Sequence, residues 1–362
     1  VSAEDRLFLP LSVDFLGAYS LPKQEFAGTR VGGLSAITYD RQQDQFYALS
    51  DDRSDFAPAR FYTLKLDLNT TKPDAPQIKQ IQVTNVTTLK SETGEPFAKG
   101  TIDPEGLVLS PLRSVFIASE GITQREIPPF VAEFDLTSGA WKRKLPIPER
   151  YNPVAADAAQ PQGVRDNLGF ESLTVSPGGY GNTSVEPFRI FTATESALAQ
   201  DMDPEPSTQP IPNRLLHYMV EEGRSLLISE HFYPLEPPPE GATAQGLTEL
   251  LAIDQGGHFL SLERSFGLTT GFGVKLFQLT SGSATDTSTI ASLKGALRGV
   301  EPIRKKLLLD LNTLKVYLDN LEGMTIGPRL PDGSQSLVLV SDDNFRDEQM
   351  TQFLLFRLRS RT

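Results

Sequence analysis

The chain has no cysteine and only three histidines. Disulfides, thiolate metal sites, cysteine nucleophiles and iron–sulfur clusters are excluded together, while the redox compartment stays open. His217, His231 and His258 are too scattered for a histidine metal triad, and no His-Glu-x-x-His segment occurs. A Gly-x-Ser-x-Gly elbow and a Walker-type loop are missing as well, so serine-hydrolase and nucleotide-hydrolase readings have no local motif behind them. A Ser-His-Asp set assembled in space would leave no such trace. Long apolar runs are missing too. Leu226-Leu227-Ile228 and Leu307-Leu308-Leu309 fall far short of the roughly 20 residues that cross a bilayer, so no membrane span is expected. Basic charge is scarce: 34 Lys+Arg against 46 Asp+Glu leave a net charge of −12. That is the wrong sign for tracking phosphates, and nucleic acid is excluded as the main partner.

What is there is apolar material for a large core, 39% hydrophobic against 22% charged residues, and it is arranged as a repeat. One half of the repeat is a short apolar run near a hydroxyl or acidic residue. Its copies are Gly33 to Asp40, Asp103 to Pro111, Gly169 to Pro177, Gly246 to Asp254 and Asn320 to Pro328. Aligned on Ser35, Glu105, Glu171, Glu249 and Glu322, the steps run from 66 to 78 residues, and the wrap through the termini back to Ser35 is 75. The other half is a strand ending in a carboxylate, at Asp51, Glu120, Glu195, Glu263 and Asp342. Turn residues separate the halves, so each pair reads as a β-hairpin. A third strand follows in every copy, for example Phe61 to Leu66 and Phe353 to Leu358, and a weaker fourth follows in most, as at Ile78 to Val83.

Four antiparallel strands about every 70 residues around a closed circle specify an all-β fold, a β-propeller of five blades in one domain spanning residues 1–362. The last repeat lacks its fourth strand, and the chain opens with an orphan strand-like segment, Leu11 to Leu16. The N-terminal strand is therefore expected to close the last blade. A degenerate sixth blade between Ala284 and Asp319 is the alternative; within it, Leu297 to Leu314 also reads as a helix or long loop. Two Pro-rich insertions, Asp201 to Asn213 and Tyr233 to Gly246, either gate a site or are tolerated surface loops. The start at Val1 without an initiator Met reads as a mature chain after signal removal, and a secreted or periplasmic location is expected.

In an antiparallel hairpin the start of the first strand and the end of the second share one end. The pairs Ser35/Asp51, Glu105/Glu120, Glu171/Glu195, Glu249/Glu263 and Glu322/Asp342 are therefore expected at one mouth of the central tunnel. Nine of these ten positions are carboxylates, and Asp52 extends the set. Such crowding requires a cation or strongly raised pKa values. All-oxygen ligands select a hard ion, Ca²⁺ before Mg²⁺. Arg53, Arg264 and Arg346 follow ring carboxylates and are placed to hold an anionic substrate group; the alternative is that they pair with the acids. Asp201-Met202-Asp203-Pro204-Glu205 starts like a calcium loop but lacks the Gly and distal Glu of an EF-hand.

The segments Gly33 to Ile37, Tyr47 to Arg53, Asp103 to Leu107, Gly169 to Leu173, Asp319 to Met324 and Leu339 to Phe345 resemble the phytase-like propeller family named for esterase-like activity of phytase. The resemblance implies an exported hydrolase of phosphoric or carboxylic esters that uses calcium, with a small anionic or ester substrate. Glu171, Glu322 and Glu105 become the expected catalytic carboxylates around the ion. Lys and Arg near the mouth are few for a substrate as phosphorylated as phytate, which favours a less charged ester. A lactonase or carboxylesterase on the same ring, and a non-enzymatic scaffold stapled by calcium, are the other readings.

Overall fold

The computed structural model describes residues 5–154, 161–177, 186–203, 209–295 and 297–360. Strand β1 (Leu11–Leu21) leads into a small hairpin of β2 (Gln24–Phe26) and β3 (Thr29–Val31). Blade one follows as β4 (Leu34–Asp40), β5 (Gln45–Ser50), β6 (Arg60–Asn69) and β7 (Gln77–Thr88). Blade two is β8 (Pro104–Leu109), β9 (Ser114–Ser119), β10 (Phe130–Asp135) and β11 (Trp141–Lys144). Blade three is β12 (Phe170–Val175), β13 (Phe188–Thr194), β14 (Ile211–Glu221) and β15 (Arg224–Leu235). Blade four is β16 (Ala244–Ala252), β17 (His258–Gly267), β18 (Gly271–Thr280) and β19 (Arg304–Asp310). Blade five comprises β20 (Asn320–Arg329), β21 (Gln335–Asp342) and β22 (Thr351–Ser360), with β1 as its outer strand.

The closure follows the expected register: Val13 lies opposite Leu358 and Phe15 opposite Phe356, their rings 5.4 Å apart. The sixth-blade alternative fails. The segment after Ala284 returns to pair β19 with β18 as the missing outer strand of blade four. The helix-or-loop expectation for Leu297 to Leu314 is corrected in part: residues 297–303 are a loop, but the rest is that strand and a 3₁₀ turn at Leu311–Leu314, because Leu307 and Leu309 lie opposite Phe277 and Leu276.

The middle strands are apolar on both faces because each face meets a different neighbour. In β5, Phe46 and Ala48 join Val338, Val340 and Phe353 of blade five, whereas Tyr47 and Leu49 join Val115 and Ile117 of blade two. Equivalent apolar clusters fill the other three gaps between neighbouring blades. The innermost strands β4, β8, β12, β16 and β20 contact one another in that circular order. Among the described residues no helix is long and apolar enough to cross a membrane.

Neither Pro-rich insertion lines the tunnel mouth among the described residues. Asp201 is instead buried against Arg214, whose Nε donates to Oδ2 at 2.7 Å. Arg214 also pairs with Glu230 at 3.1 Å. The calcium-loop-like start is thus committed to an internal ion pair at its first residue; 204–208 lie outside the described residues.

Candidate functional site

All five inner strands carry a β-bulge at the same step. Ser35, Glu105, Glu171, Thr248 and Glu322 are the extra residues, each skipped in the pairing with the second strand. A bulge bends the strand and re-aims one side chain. Facing these slots are Asp51, Glu120 and Glu195, which directly follow their second strands, Asp342, which ends its own, and Arg264, within β17. The backbone N–H groups of Asp51, Glu120 and Glu195 donate to the carbonyls of Gly33, Asp103 and Gly169, and Arg264 lies opposite Gly246.

Blade four therefore departs from the expected alignment by one residue. Its bulge slot holds Thr248 rather than Glu249, and its second slot holds Arg264 rather than Glu263. The period of two along a strand sends both displaced acids elsewhere. Glu249 is buried and accepts from the backbone N–H groups of Leu173 and Leu250 at 3.1 and 3.0 Å. Burial raises its pKa well above the usual carboxylate range. Glu263 accepts from Tyr233 (2.7 Å), Lys305 (2.6 Å), Gln245 (3.1 Å) and the Glu236 N–H (2.9 Å). Neither lines the mouth. Counting from the glycines shared by Gly33, Gly169 and Gly246, instead of from the nearest acid, gives the observed slots. These glycines leave room for the acids: a Cβ on Gly246 would sit 2.2 Å from Glu195 Oε1, and one on Gly33 would sit 2.1 Å from Asp51 Oδ1.

The mouth is a cavity of ≈ 310 Å³ lined by Asp51, Asp103, Glu105, Glu120, Glu171, Glu195 and Glu322, with Asp52, Asp55, Arg53, Arg264, Asn167, Asn344 and two phenylalanines completing its wall. Carboxylate oxygens of Asp103, Glu105 and Glu120 lie within 4.8 Å of one another, as do those of Glu105, Glu171 and Glu322, and those of Glu120, Glu171 and Glu195. At such spacing two charges repel by about 3 kcal/mol in a medium of effective dielectric 20. Burial, reinforced by neighbouring carboxylates, raises Asp51, Glu105, Glu120, Glu171 and Asp342 well above the ordinary range. Burial carries Glu195 to about 7 despite Arg264 beside it, and Asp103 to about 6 despite Arg53.

Arg264 is part of the ring itself. Its Nη2 bridges Glu195 at 3.1 Å and Glu322 at 3.0 Å, tying blades three, four and five. Arg53 sits at the rim, with Nε donating to Asp103 at 2.7 Å and Nη2 to Asn167 Oδ1 at 2.8 Å. Arg346 is exposed in the loop after β21 and does not line the cavity. Asp52 borders the cavity but is spent elsewhere, accepting from Arg60 at 2.7 Å and from the N–H groups of Asp55 and Ala57 at 2.7 and 3.0 Å. Asp103 and Asn167 line the cavity without belonging to the repeat's aligned acids. Asp103 is legible as the acid in the glycine slot; Asn167 carries no local signal.

The donor set fits a hard divalent ion. Both oxygens of Glu120 are buried and meet no N–H or hydroxyl donor, and Arg264 Nε is likewise unpartnered. A buried carboxylate without a donor costs several kcal/mol unless a proton or cation joins it. Glu120, Glu171 and Glu105 are the residues that would hold the ion, all through oxygen.

Among solved structures, the chain is similar to the catalytic domain of a GH62 α-L-arabinofuranosidase from Coprinopsis cinerea, at 10% identity and a TM-score of 0.45, covering 97% of this chain and 98% of that one. It is also similar to an endo-arabinase from Bacteroides thetaiotaomicron, at 9% identity and a TM-score of 0.41, covering 90% and 93%. At these identities and scores the likenesses carry no functional implication. A search of the curated proteins finds no match. The family model described as "Phytase-like: Esterase-like activity of phytase" matches residues 29–345. A match over most of the propeller, mouth included, shows that this chain belongs to the phytase-like family.

Proposed function

We propose that the acidic mouth is the active site of a Ca²⁺-dependent hydrolase of phosphoric or carboxylic esters. The observation that supports this most is the buried Glu120 carboxylate, without a donor among Glu105, Glu171 and Glu195. When bound, a divalent ion supplies positive charge that draws in an ester oxygen and lowers the pKa of a water. The protein's own groups divide the remaining work. Glu120, Glu171 and Glu105 hold the ion, while Glu195 and Glu322 are kept in place by Arg264. Arg53, about one-third exposed at 38%, presents its guanidinium at the rim where an anionic group enters. Glu105 is only partly buried where Glu120, Glu171 and Glu322 are buried, and it is the carboxylate assigned to take a proton from water. Ten carboxyl groups, the nine of the lining and Asp342, face two guanidinium groups, an environment hostile to polyphosphates, so an ester of low charge is the better substrate. A secreted or periplasmic location belongs to the same proposal.

Calorimetric titration of chelator-treated protein with Ca²⁺ should show binding that Glu120→Gln weakens at least tenfold. Calcium-dependent turnover of simple phosphate and acyl esters should be lost in Glu171→Gln with the fold intact. Binding without turnover of phosphomonoesters, phosphodiesters, lactones or acyl esters would leave a calcium-stapled scaffold. Absence of binding would remove the metal.

A further inference from the structure

The two acidic doublets, Asp51-Asp52 and Asp342-Asp343, divide their labour in the same way. The first acid of each occupies a ring slot, and the second turns back to knot the following loop. Asp52 accepts from the backbone N–H groups of Asp55, Phe56 and Ala57 at 2.7, 3.2 and 3.0 Å. Asp343 accepts from those of Gly33 and Phe345 at 2.9 and 3.1 Å. Each knot delivers one phenylalanine to the cavity edge. Phe56 and Phe345 pack with ring centroids 4.7 Å apart, and both line the same cavity as the carboxylates.

Three features mark this pair as a binding surface. Phe56 is 62% exposed although it packs on Phe345, so much of its apolar surface stays open at the cavity edge. Asn344 and Phe345 both adopt positive φ, 48° and 53°, a conformation unfavourable for side-chain-bearing residues that persists where a ligand clamp requires it. Arg30 braces the pair from its own side: its Cζ lies 5.9 and 5.5 Å from the two ring centroids, and its Nη2 donates to the Phe345 carbonyl at 2.8 Å.

Taken with the reading of the mouth as an ester-hydrolysing site, on which this rests, we infer that Phe56 and Phe345 form a shelf that selects esters carrying an aryl or other flat apolar group. The ester's polar centre lies among the carboxylates and its ring stacks on the shelf. A polyhydroxylated or polyphosphorylated ring has no apolar face to offer there.

The test compares matched ligands in the presence of Ca²⁺. Phenylphosphonate and methylphosphonate, which are not hydrolysed, are titrated calorimetrically into wild type, Phe56→Ala and Phe56→Tyr. In parallel, kcat/KM is measured for 3-phenylpropyl and propyl phosphate, whose leaving groups are nearly equivalent. Wild type should bind phenylphosphonate at least tenfold more tightly than methylphosphonate. Phe56→Ala should erase the difference without weakening methylphosphonate, and Phe56→Tyr should retain it. The kinetic preference should appear in KM. Equal affinities, binding of neither phosphonate, or an equal loss of both in Phe56→Ala overturns the shelf. Selective phosphonate binding without turnover of either ester leaves the shelf standing and overturns the hydrolase reading instead.

Discussion

Arg264 shows how a single side chain sets the electrostatics of the mouth. It is the one cation in the ring of second-strand slots, and Glu195 and Glu322 share its Nη2. Removing it strands two buried carboxylates, and breaking a buried pair from one side typically costs about 3–5 kcal/mol. Arg264→Ala, unfolded with urea at about pH 8 in chelator, should lose stability in that range. Adding Glu195→Gln to Arg264→Ala should recover part of the loss, because one stranded charge is gone. If the double mutant is no more stable than the single, Arg264 contributes by packing and not by charge. Asp52 and Asp343 teach the converse lesson: an acid beside a ring acid in sequence is, in space, a loop anchor.

The decisive element is the bulged inner strand. Every blade repeats it at the same step, and it gives the mouth a side chain that an unbroken period of two would send into an interblade gap. A bulge leaves a faint mark in sequence, which is why the fourth blade reads one residue out of register from its acids alone. The outer strand β1 is a different kind of element, since it shields the edge of β22 with apolar residues from the far end of the chain. A chain beginning at Pro22 should leave that edge unpaired and lose cooperative thermal unfolding. Attaching Leu11–Leu21 after Ser360 through a short turn should restore it, because Leu11 already lies opposite Ser360. A truncated chain that melts as sharply as the full one would show that blade five stands on three strands.

Across the whole molecule, the acid cluster couples stability to pH and, on the proposed reading, to calcium. Burial holds Asp51, Glu105, Glu120, Glu171 and Asp342 well above the ordinary range, and Glu195 at about 7. In the unfolded chain these groups lose their protons near pH 4. The folded state therefore binds more protons above that pH, and stability falls as pH rises through the folded values. His217, lowered to about 4 by burial, has the opposite effect, but only between about pH 4 and its unfolded value of about 6.5. Above that window the carboxylates act without it. Metal-free protein should melt progressively lower from about pH 6.5 to 8.5, and saturating Ca²⁺ should flatten the trend by binding only the folded ring. Melting temperatures that stay level in chelator, or that calcium leaves unchanged, would contradict this.

The five-bladed architecture and its closure were legible in the sequence, because repeat length, hairpin turns and doubly apolar middle strands are local and recur five times. The crowding of acids at one mouth was legible for the same reason, since hairpin geometry fixes which strand ends meet. Tertiary structure decided which acids take part. A one-residue bulge changes a side chain's face without changing composition, so Thr248 took the bulge slot, Glu249 and Glu263 were turned away from the mouth, and Arg264 entered it. Long-range packing also chose the partners: Asp103 for Arg53, Asp201 and Glu230 for Arg214, and Phe56 for Phe345. Arg214 meets its acids within blade three, 13 and 16 positions away, whereas Arg53–Asp103 and Phe56–Phe345, 50 and 289 positions apart, meet only because the loops of different blades converge at the ring.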